Sequence, residues 1–132
     1  MTLLKVLRDQ RGQSIVEAAM VLPILLLILF SVFEFGRIFN AYMIITNAAR
    51  EGARCAVVGT SDIDVINVIN INTSTLDASK RQISVSPTSS SRTRGVQVAV
   101  QIDYKVEIIT PLISSMIPNP FPLRAKTVMR ME

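Results

Sequence analysis

The 132-residue sequence contains no histidine, no tryptophan and a single cysteine, Cys55. One cysteine rules out an internal disulfide, and its apolar setting, A-R-C-A-V-V, favours a buried small side chain over an odd reactive thiol. The chain has no metal-spaced cluster, no glycine-rich phosphate loop and no pairing of a serine or cysteine with a base. We therefore expect no enzyme activity, no catalytic residue, no metal, no cofactor and no small-molecule substrate.

Charge is also sparse, with 14 Lys and Arg against 10 Asp and Glu and a formal net charge of +4. Half of that excess lies in the first twelve residues, where Lys5, Arg8 and Arg11 oppose only Asp9, three positive charges against one negative. The remaining excess is weak, and it gives no reason to expect nucleic acid as a partner.

A long stretch, residues 18–33, carries no charged side chain, and only Pro23 and Ser31 interrupt its apolar residues. With its apolar flanks it reaches roughly 22–25 residues, enough to cross ~30 Å of hydrocarbon at ~1.5 Å per residue. We assign residues 13–40 to one membrane-spanning segment of a long helix. Pro23 removes one backbone hydrogen bond from it and is expected to kink or loosen the helix there.

The residues on either side of this segment predict its orientation in the membrane and whether it is removed as a signal peptide. Basic residues precede it, which places residues 1–12 in the cytoplasm as a leader and residues 41–132 outside it. A cleaved signal peptide has an apolar run of about 7–15 residues followed by a small-x-small site. Here the run is longer and E-F-G-R-I-F-N-A-Y-M-I-I follows, so removal of the apolar segment is not expected.

A carboxylate, Glu17, stands at the leading edge of the apolar run. A charged side chain within a span costs on the order of 2.5–3.5 kcal/mol. One interpretation is an interfacial glutamate favoured by the helix dipole. The other comes from spacing: a basic leader ends in Gly12, Gln13 follows, and Glu17 is the fifth residue counted from Gln13, as at a type IV prepilin processing site. Cleavage between Gly12 and Gln13 would create an α-amino cation able to neutralise Glu17 of a neighbouring subunit and fix its register. This spacing predicts that Glu17 is an assembly contact.

Residues 11–54 resemble the TadE-like family, which comprises minor pilins or pseudopilins of the tight-adherence (Flp, type IVc) pilus machinery. The motifs that carry the resemblance are R-G-Q-S-I-V-E at 11–17, V-L-P at 21–23, E-F-G-R at 34–37 and N-A-A-R-E-G-A-R at 47–54. The resemblance implies a bacterial inner-membrane protein processed by an aspartic-type prepilin peptidase. It also implies other pilins, a Tad assembly platform and a secretion ATPase as partners, and a pilus used for adhesion.

Beyond the span, apolar residues recur at three- and four-residue spacing and predict that the helix continues to about Val58. The predicted buried stripe is mostly small: Ala41, Ile44, Ile45, Ala48, Gly52 and Ala56. It could pack on the protein's own sheet, which we prefer, or on a neighbouring pilin. Glu34 and Arg37, three residues apart, are expected to form an exposed ion pair on a wet helix face, worth a few tenths of a kcal/mol.

The C-terminal part predicts a small sheet. Residues 62–72, D-I-D-V-I-N-V-I-N-I-N, fit a strand or a short helix with isoleucines 63, 66 and 69 inward, and we prefer the helix. A strand around Ile83 and Val85 comes next, followed by a flexible connection over 87–95. The strand that begins at Val96 has an apolar residue at every even position and a polar one at most odd positions. A last strand has residues 123, 125, 127, 129 and 131 on one face. The fold expected is α+β and pilin-like: a long N-terminal helix packed on a three-stranded antiparallel sheet.

Two classes of function fit these features. The first is an assembly subunit, a minor pilin that primes, caps or enters a Tad-type pilus. The second is a membrane-anchored binding module whose outer domain captures a ligand or partner while the helix only tethers it. The Gly12–Glu17 spacing favours the first, because a tether needs neither the glycine nor the carboxylate.

Overall fold

The computed structural model describes residues 10–131, with side chains from Gly12 onward, so most of the expected leader, residues 1–9, lies outside it. The elements in chain order are α1 (Gln10–Val57), α2 (Asp62–Asn72), β1 (Arg81–Ser86), β2 (Gln97–Val106), α3 (Pro111–Ser114) and β3 (Phe121–Arg130), with 3₁₀ turns at Ala78–Lys80 and Ser89–Ser91. The expected α+β architecture is confirmed.

Helix α1 is 48 residues long, which corresponds to about 72 Å at ~1.5 Å per residue. It runs without interruption through Pro23. Its end is set by Gly59, whose φ of 91° lies in the left-handed region and whose N–H donates to the carbonyl of Ala56 at 3.3 Å. A residue with a β-carbon would be strained in this conformation, so glycine ends the helix here.

The sheet has the order β1-β2-β3, and both pairs of strands are antiparallel. The alternation predicted for β2 is confirmed, because its even-numbered residues are buried and most of the odd-numbered ones face outward. The register places Ile102 between Ile83 of β1 and Ala125 of β3, so the three strands share one apolar face. The inward set predicted for the last strand is also confirmed, with Leu123 and Ala125 buried.

The core lies between that face and the second half of α1. The stripe of small residues packs on the protein's own sheet, as preferred, although Ile44 of the predicted stripe is only half-buried. Apart from Glu34, the buried residues of α1 are Ala41, Ile45, Ala48, Ala49, Gly52, Ala53 and Ala56. Gly52 shows why the residues are small, because a β-carbon there would lie 2.7 Å from Cδ1 of the fully buried Ile69. Cys55 is half-buried against this core, so the burial predicted for it is confirmed only in part.

Helix α2 confirms the helical interpretation of residues 62–72. Ser61 caps it by accepting a hydrogen bond from the N–H of Asp64 at 3.2 Å. Only one of the three isoleucines expected inward is buried, Ile69, and its buried partner is Val65. Ile63 is 72% exposed, because the face that meets α1 follows the four-residue step from 65 to 69 rather than a three-residue step.

The segment 87–95, predicted to be a flexible connection, is attached to the start of α2 through a buried arginine, and its flexibility stays a prediction. Arg92 donates from Nε to the carbonyl of Pro87 at 3.1 Å and from Nη1 to that of Thr60 at 3.0 Å, and it pairs with Asp62. The N–H of Ser89 also donates to Asp62 at 2.9 Å. That hydrogen bond and the Arg92 charge hold the pKa of Asp62 below its ordinary value of 3.8.

Candidate membrane span and assembly site

The N-terminal half of α1 has no protein around it. Every residue from 12 to 30 is exposed, including an unbroken series of large apolar side chains. Within the described part of the chain, α1 is the one helix long and apolar enough to cross a membrane. Water-soluble monomers rarely expose more than a few hundred Å² of contiguous apolar surface, so this half of the helix requires a non-aqueous surrounding. One helix capable of spanning a bilayer is therefore present, as the sequence predicted.

Glu17 lies exposed in the early turns of α1. Among the described residues its carboxylate has no ion pair and no hydrogen bond, and the side chains that follow it are apolar. The described part of the chain thus supplies no partner for this carboxylate. Within that part, its charge is balanced only by water and headgroups at the membrane surface or by a group from another molecule.

Gly12 and Gln13 lie in the first turn of α1. Gly12 is exposed, and a β-carbon added there would meet nothing within 4 Å. Gly52, by contrast, is required by the packing of Ile69. The fold supplies no steric reason for a glycine at position 12.

Pro23 sits exposed in the middle of the apolar half. Since proline has no N–H, the carbonyl one turn earlier lacks its usual partner, and in lipid that group has no water to replace it. The predicted local loosening of the helix stays a prediction.

The Glu34–Arg37 pair differs from the expectation. Arg37 donates from Nη1 to Oε1 of Glu34 at 2.8 Å, as the three-residue spacing indicated. Glu34, however, is only 4% exposed, because the chain beyond β2 covers it. The N–H of Ile109 donates to Oε1 at 3.4 Å and the hydroxyl of Thr110 to Oε2 at 3.2 Å. The pair is therefore not on a wet helix face, and the folded domain begins at residue 34.

Local sequence patterns could not predict these contacts, because Ile109 and Thr110 are 75 and 76 residues away from Glu34. A glutamate directly after a charge-free run was the only available signal. Such a residue must either reach the membrane surface or find donors in a folded part of the chain.

The outer face of the sheet carries a groove of about 510 Å³. Two basic residues of its lining form ion pairs. Lys80 pairs at 3.0 Å with Glu107, which does not itself line the groove, and Arg124 pairs at 2.6 Å with Asp103. The Glu107 contact raises the pKa of Lys80, and the hydrogen bond from Arg124 lowers the pKa of Asp103. Lys105 also lines the groove and belongs to neither pair, so the groove carries a net positive charge. Over residues 10–131, no group of three or more Cys, Asp or Glu side chains is placed to hold a metal ion.

The comparison with protein families gives one match, to the TadE-like protein family over residues 12–54. No curated protein and no solved structure matches the chain. The matched segment covers the apolar half of α1, the Glu34–Arg37 pair and most of the stripe of small residues, and it ends before α2. The match therefore falls on the helix that is long and apolar enough to cross a membrane. The resemblance is confirmed over residues 12–54, which form a TadE-like segment at the head of an α+β chain.

Proposed function

We propose that this chain is a minor pilin or pseudopilin of a Tad (type IVc, Flp) pilus. In this proposal the apolar half of α1 anchors it as a single span in the bacterial inner membrane. Residues 1–12 are cytoplasmic and the sheet domain lies outside. The observation that carries the proposal is Glu17, an uncompensated carboxylate at the head of an exposed apolar helix, in register with Gly12 and Gln13.

The contacts of Glu34 favour a shorter span than residues 13–40. Glu34 is buried by its own domain and Ile38 packs against the core, so neither is free to face lipid. Residues 13–33 number 21, which gives about 31 Å of helix at ~1.5 Å per residue and matches a hydrocarbon layer of ~30 Å. We propose that the span ends at residue 33 and that residues 34–40 belong to the outer domain.

The position of the Gly12–Gln13 bond suits processing by a prepilin peptidase. A protease needs its substrate backbone unwound, and the first N–H groups of a helix have no intrahelical acceptor. Gly12 further weakens the first turn by about 1 kcal/mol relative to alanine. Opening this bond therefore disturbs few interactions, and none in the core, which lies more than twenty residues away.

Cleavage there would leave the α-amino group of Gln13 as the new N-terminus. An isolated ammonium and an isolated carboxylate are each costly near lipid, whereas a close pair of them is tolerated. Because the described chain offers Glu17 no partner, the amine of a neighbouring subunit can fill that role. This ion pair between subunits would stabilise a bundle of such helices relative to a single helix in the membrane, and a pilus subunit must form such a bundle.

Substitution at position 12 tests the processing step. Gly12→Leu is expected to block cleavage in cells that contain the prepilin peptidase, so the protein keeps the electrophoretic mobility of the full chain. Gly36→Leu is the matched control, because Gly36 is also exposed, lies in the same helix and has nothing within 4 Å of an added β-carbon. Normal processing of Gly12→Leu would rule out the assigned site.

Substitution at position 17 tests the assembly contact. Glu17→Ala is expected to leave membrane insertion intact or improved, since it removes a charge from the span, and to lower the number of assembled pili. The control is Glu51→Ala, which removes an exposed glutamate from the outer half of α1 and only a loose contact with Arg54 at 3.8 Å. An unchanged number of pili in Glu17→Ala would contradict the proposal and favour a tethered binding module.

A further inference from the structure

The connection between β2 and β3, residues 107–120, is here called the proximal loop. Its first residues are fixed to α1 just beyond the apolar run. The carbonyl of Glu107 accepts from Nη2 of Arg37 at 3.5 Å, and Ile109 and Thr110 donate to Glu34. The antiparallel sheet thus directs this loop toward the apolar half of α1, while the start of β2 and the end of β3 lie at the opposite end of the domain.

Beyond Glu107, which pairs with Lys80 at 3.0 Å, the proximal loop carries no charge, and it exposes large apolar side chains. From residue 108 to residue 123 there is no Asp, Glu, Lys or Arg. Ile109 is 72% exposed, Leu112 62% and Met116 84%. The exposure belongs to an ordered loop, because the side-chain amide of Asn119 closes its base by accepting from the N–H of Ile108 at 3.1 Å and donating to the carbonyl of the same residue at 3.2 Å.

The opposite end of the domain has the contrary composition. The connection 87–95 reads P-T-S-S-S-R-T-R-G, with hydroxyls and two arginines and no large apolar residue. The connections at the two ends of the sheet therefore differ in polarity, and the apolar connection is the one that faces the span, although Val58 and Ile63 are also exposed near the other. If the proximal loop were simply in contact with water, it would have no need to be more apolar than the connection 87–95.

We propose that the proximal loop dips into the outer interfacial layer of the membrane that α1 spans, with Ile109, Leu112 and Met116 as its lipid-contacting residues. This proposal rests on the membrane insertion of α1 proposed above and adds a second contact with the same bilayer. Lipid is favoured as the occupant because Glu34 fixes the height of the loop along α1. A bilayer that covers residues 13–33 ends at that height, and residues 108–120 carry no charge that would have to be desolvated.

A second contact has a consequence for assembly. A single span can rotate about its own axis, whereas a helix and a loop together fix which side of the domain faces the membrane. The exposed face of α1 and the outer face of the sheet would then meet neighbouring subunits in one orientation.

Depth-dependent quenching tests the contact. The full chain carries Cys55→Ala and one new cysteine labelled with the environment-sensitive dye NBD, in phosphatidylcholine–phosphatidylglycerol vesicles. Test positions are L112C and M116C. L26C reports the span and V58C, at an exposed site at the far end of α1, reports the aqueous side. Lipids with a nitroxide near the headgroup end of the acyl chain should quench both loop labels by about half, because an interfacial segment lies ~5–10 Å into the headgroup and acyl boundary. The V58C label should remain bright and accessible to iodide.

The possible outcomes separate the two proposals. Quenching at L26C with both loop labels behaving like V58C would overturn the loop contact and leave the span intact. An unquenched label at L26C would overturn the insertion of α1 and the loop contact with it. If the loop labels lose iodide access only at high protein density, without lipid quenching, a second copy covers the loop and the lipid assignment is wrong.

Discussion

Removal of the Glu34 carboxylate should release the chain beyond β2 from α1. In Glu34→Ala the N–H of Ile109 and the hydroxyl of Thr110 lose their acceptor. Hydrogen bonds to a carboxylate contribute about 1.5–3 kcal/mol each, but these two are long, at 3.4 and 3.2 Å, so we assign about 1 kcal/mol to each. Arg37 adds only a few tenths of a kcal/mol, because its side chain is 44% exposed. The total is about 2 kcal/mol, which corresponds to a roughly 30-fold change in a local opening equilibrium at ~1.4 kcal/mol per tenfold.

Amide hydrogen exchange of the full chain in detergent micelles measures this opening. The informative amide is that of Ile108, because its acceptor, Asn119, is not altered by the substitution, so it exchanges faster only if detachment from α1 lets the loop open and break that bond. Glu34→Ala should accelerate its exchange about 30-fold. Glu34→Gln keeps one carbonyl acceptor and should accelerate it no more than about 5-fold, since it loses only charge assistance. Equal acceleration in both variants, or none in Glu34→Ala, would refute the role assigned to the carboxylate.

Three further predictions concern the folded domain. Gly52→Ala should destabilise it by about 1 kcal/mol in urea unfolding, because overpacking against Ile69 outweighs the gain in helix propensity, and adding Ile69→Val should restore part of the loss. Gly36→Ala, with open space around it, should be neutral or slightly stabilising, and an equal loss there would show that packing is not the cause. Arg92→Ala should cost about 2–3 kcal/mol, because it removes the cation paired with Asp62 and the donor to two carbonyls. A loss of stability no larger than that caused by replacing an exposed arginine would contradict its structural role. Since the pKa of Asp62 is lower in the folded than in the unfolded chain, its contribution is complete above its ordinary value of 3.8 and is lost as the pH falls through the folded value. Asp62→Asn should therefore flatten the acid side of a plot of unfolding midpoint against pH, and an unchanged slope would contradict this.

The elements that sequence patterns predicted are those controlled by local periodicity. Strand β2 alternates strictly because one face is buried and the other is not, and residues 98–106 show this directly. The stripe of small residues on α1 was predicted for the same reason, at a period near 3.6. Residues 62–72 were correctly predicted to form a helix, α2. The face that α2 buries is set by the close contact between Ile69 and Gly52 of α1, and the sequence of neither helix alone shows this contact.

The features that sequence patterns missed depend on partners far along the chain. In the sequence, Arg92 is one of several polar residues in a serine-rich connection, and nothing marks it as buried. Its partner, Asp62, is 30 residues away and is brought to it only by folding. Glu34 was paired with the correct arginine but placed on the wrong surface, because its other donors come from beyond β2. The proximal loop did leave a signal, the absence of charge from residue 108 to 123, which becomes meaningful only when its position beside the span is known. The roles of Gly12, Gln13, Glu17 and Pro23 remain predictions.

The most direct test of the pairing proposed for Glu17 is the mass of the intact protein. The protein is extracted from the membranes of cells that contain an active prepilin peptidase, and its mass shows whether cleavage has created an α-amino group at Gln13. We predict a chain that begins at Gln13 and retains its α-amino group. A protein that keeps residues 1–12 while pili assemble normally would contradict the pairing. So would a mature chain lighter by one ammonia, because N-terminal glutamine that has cyclised onto its own side chain carries no cation to offer.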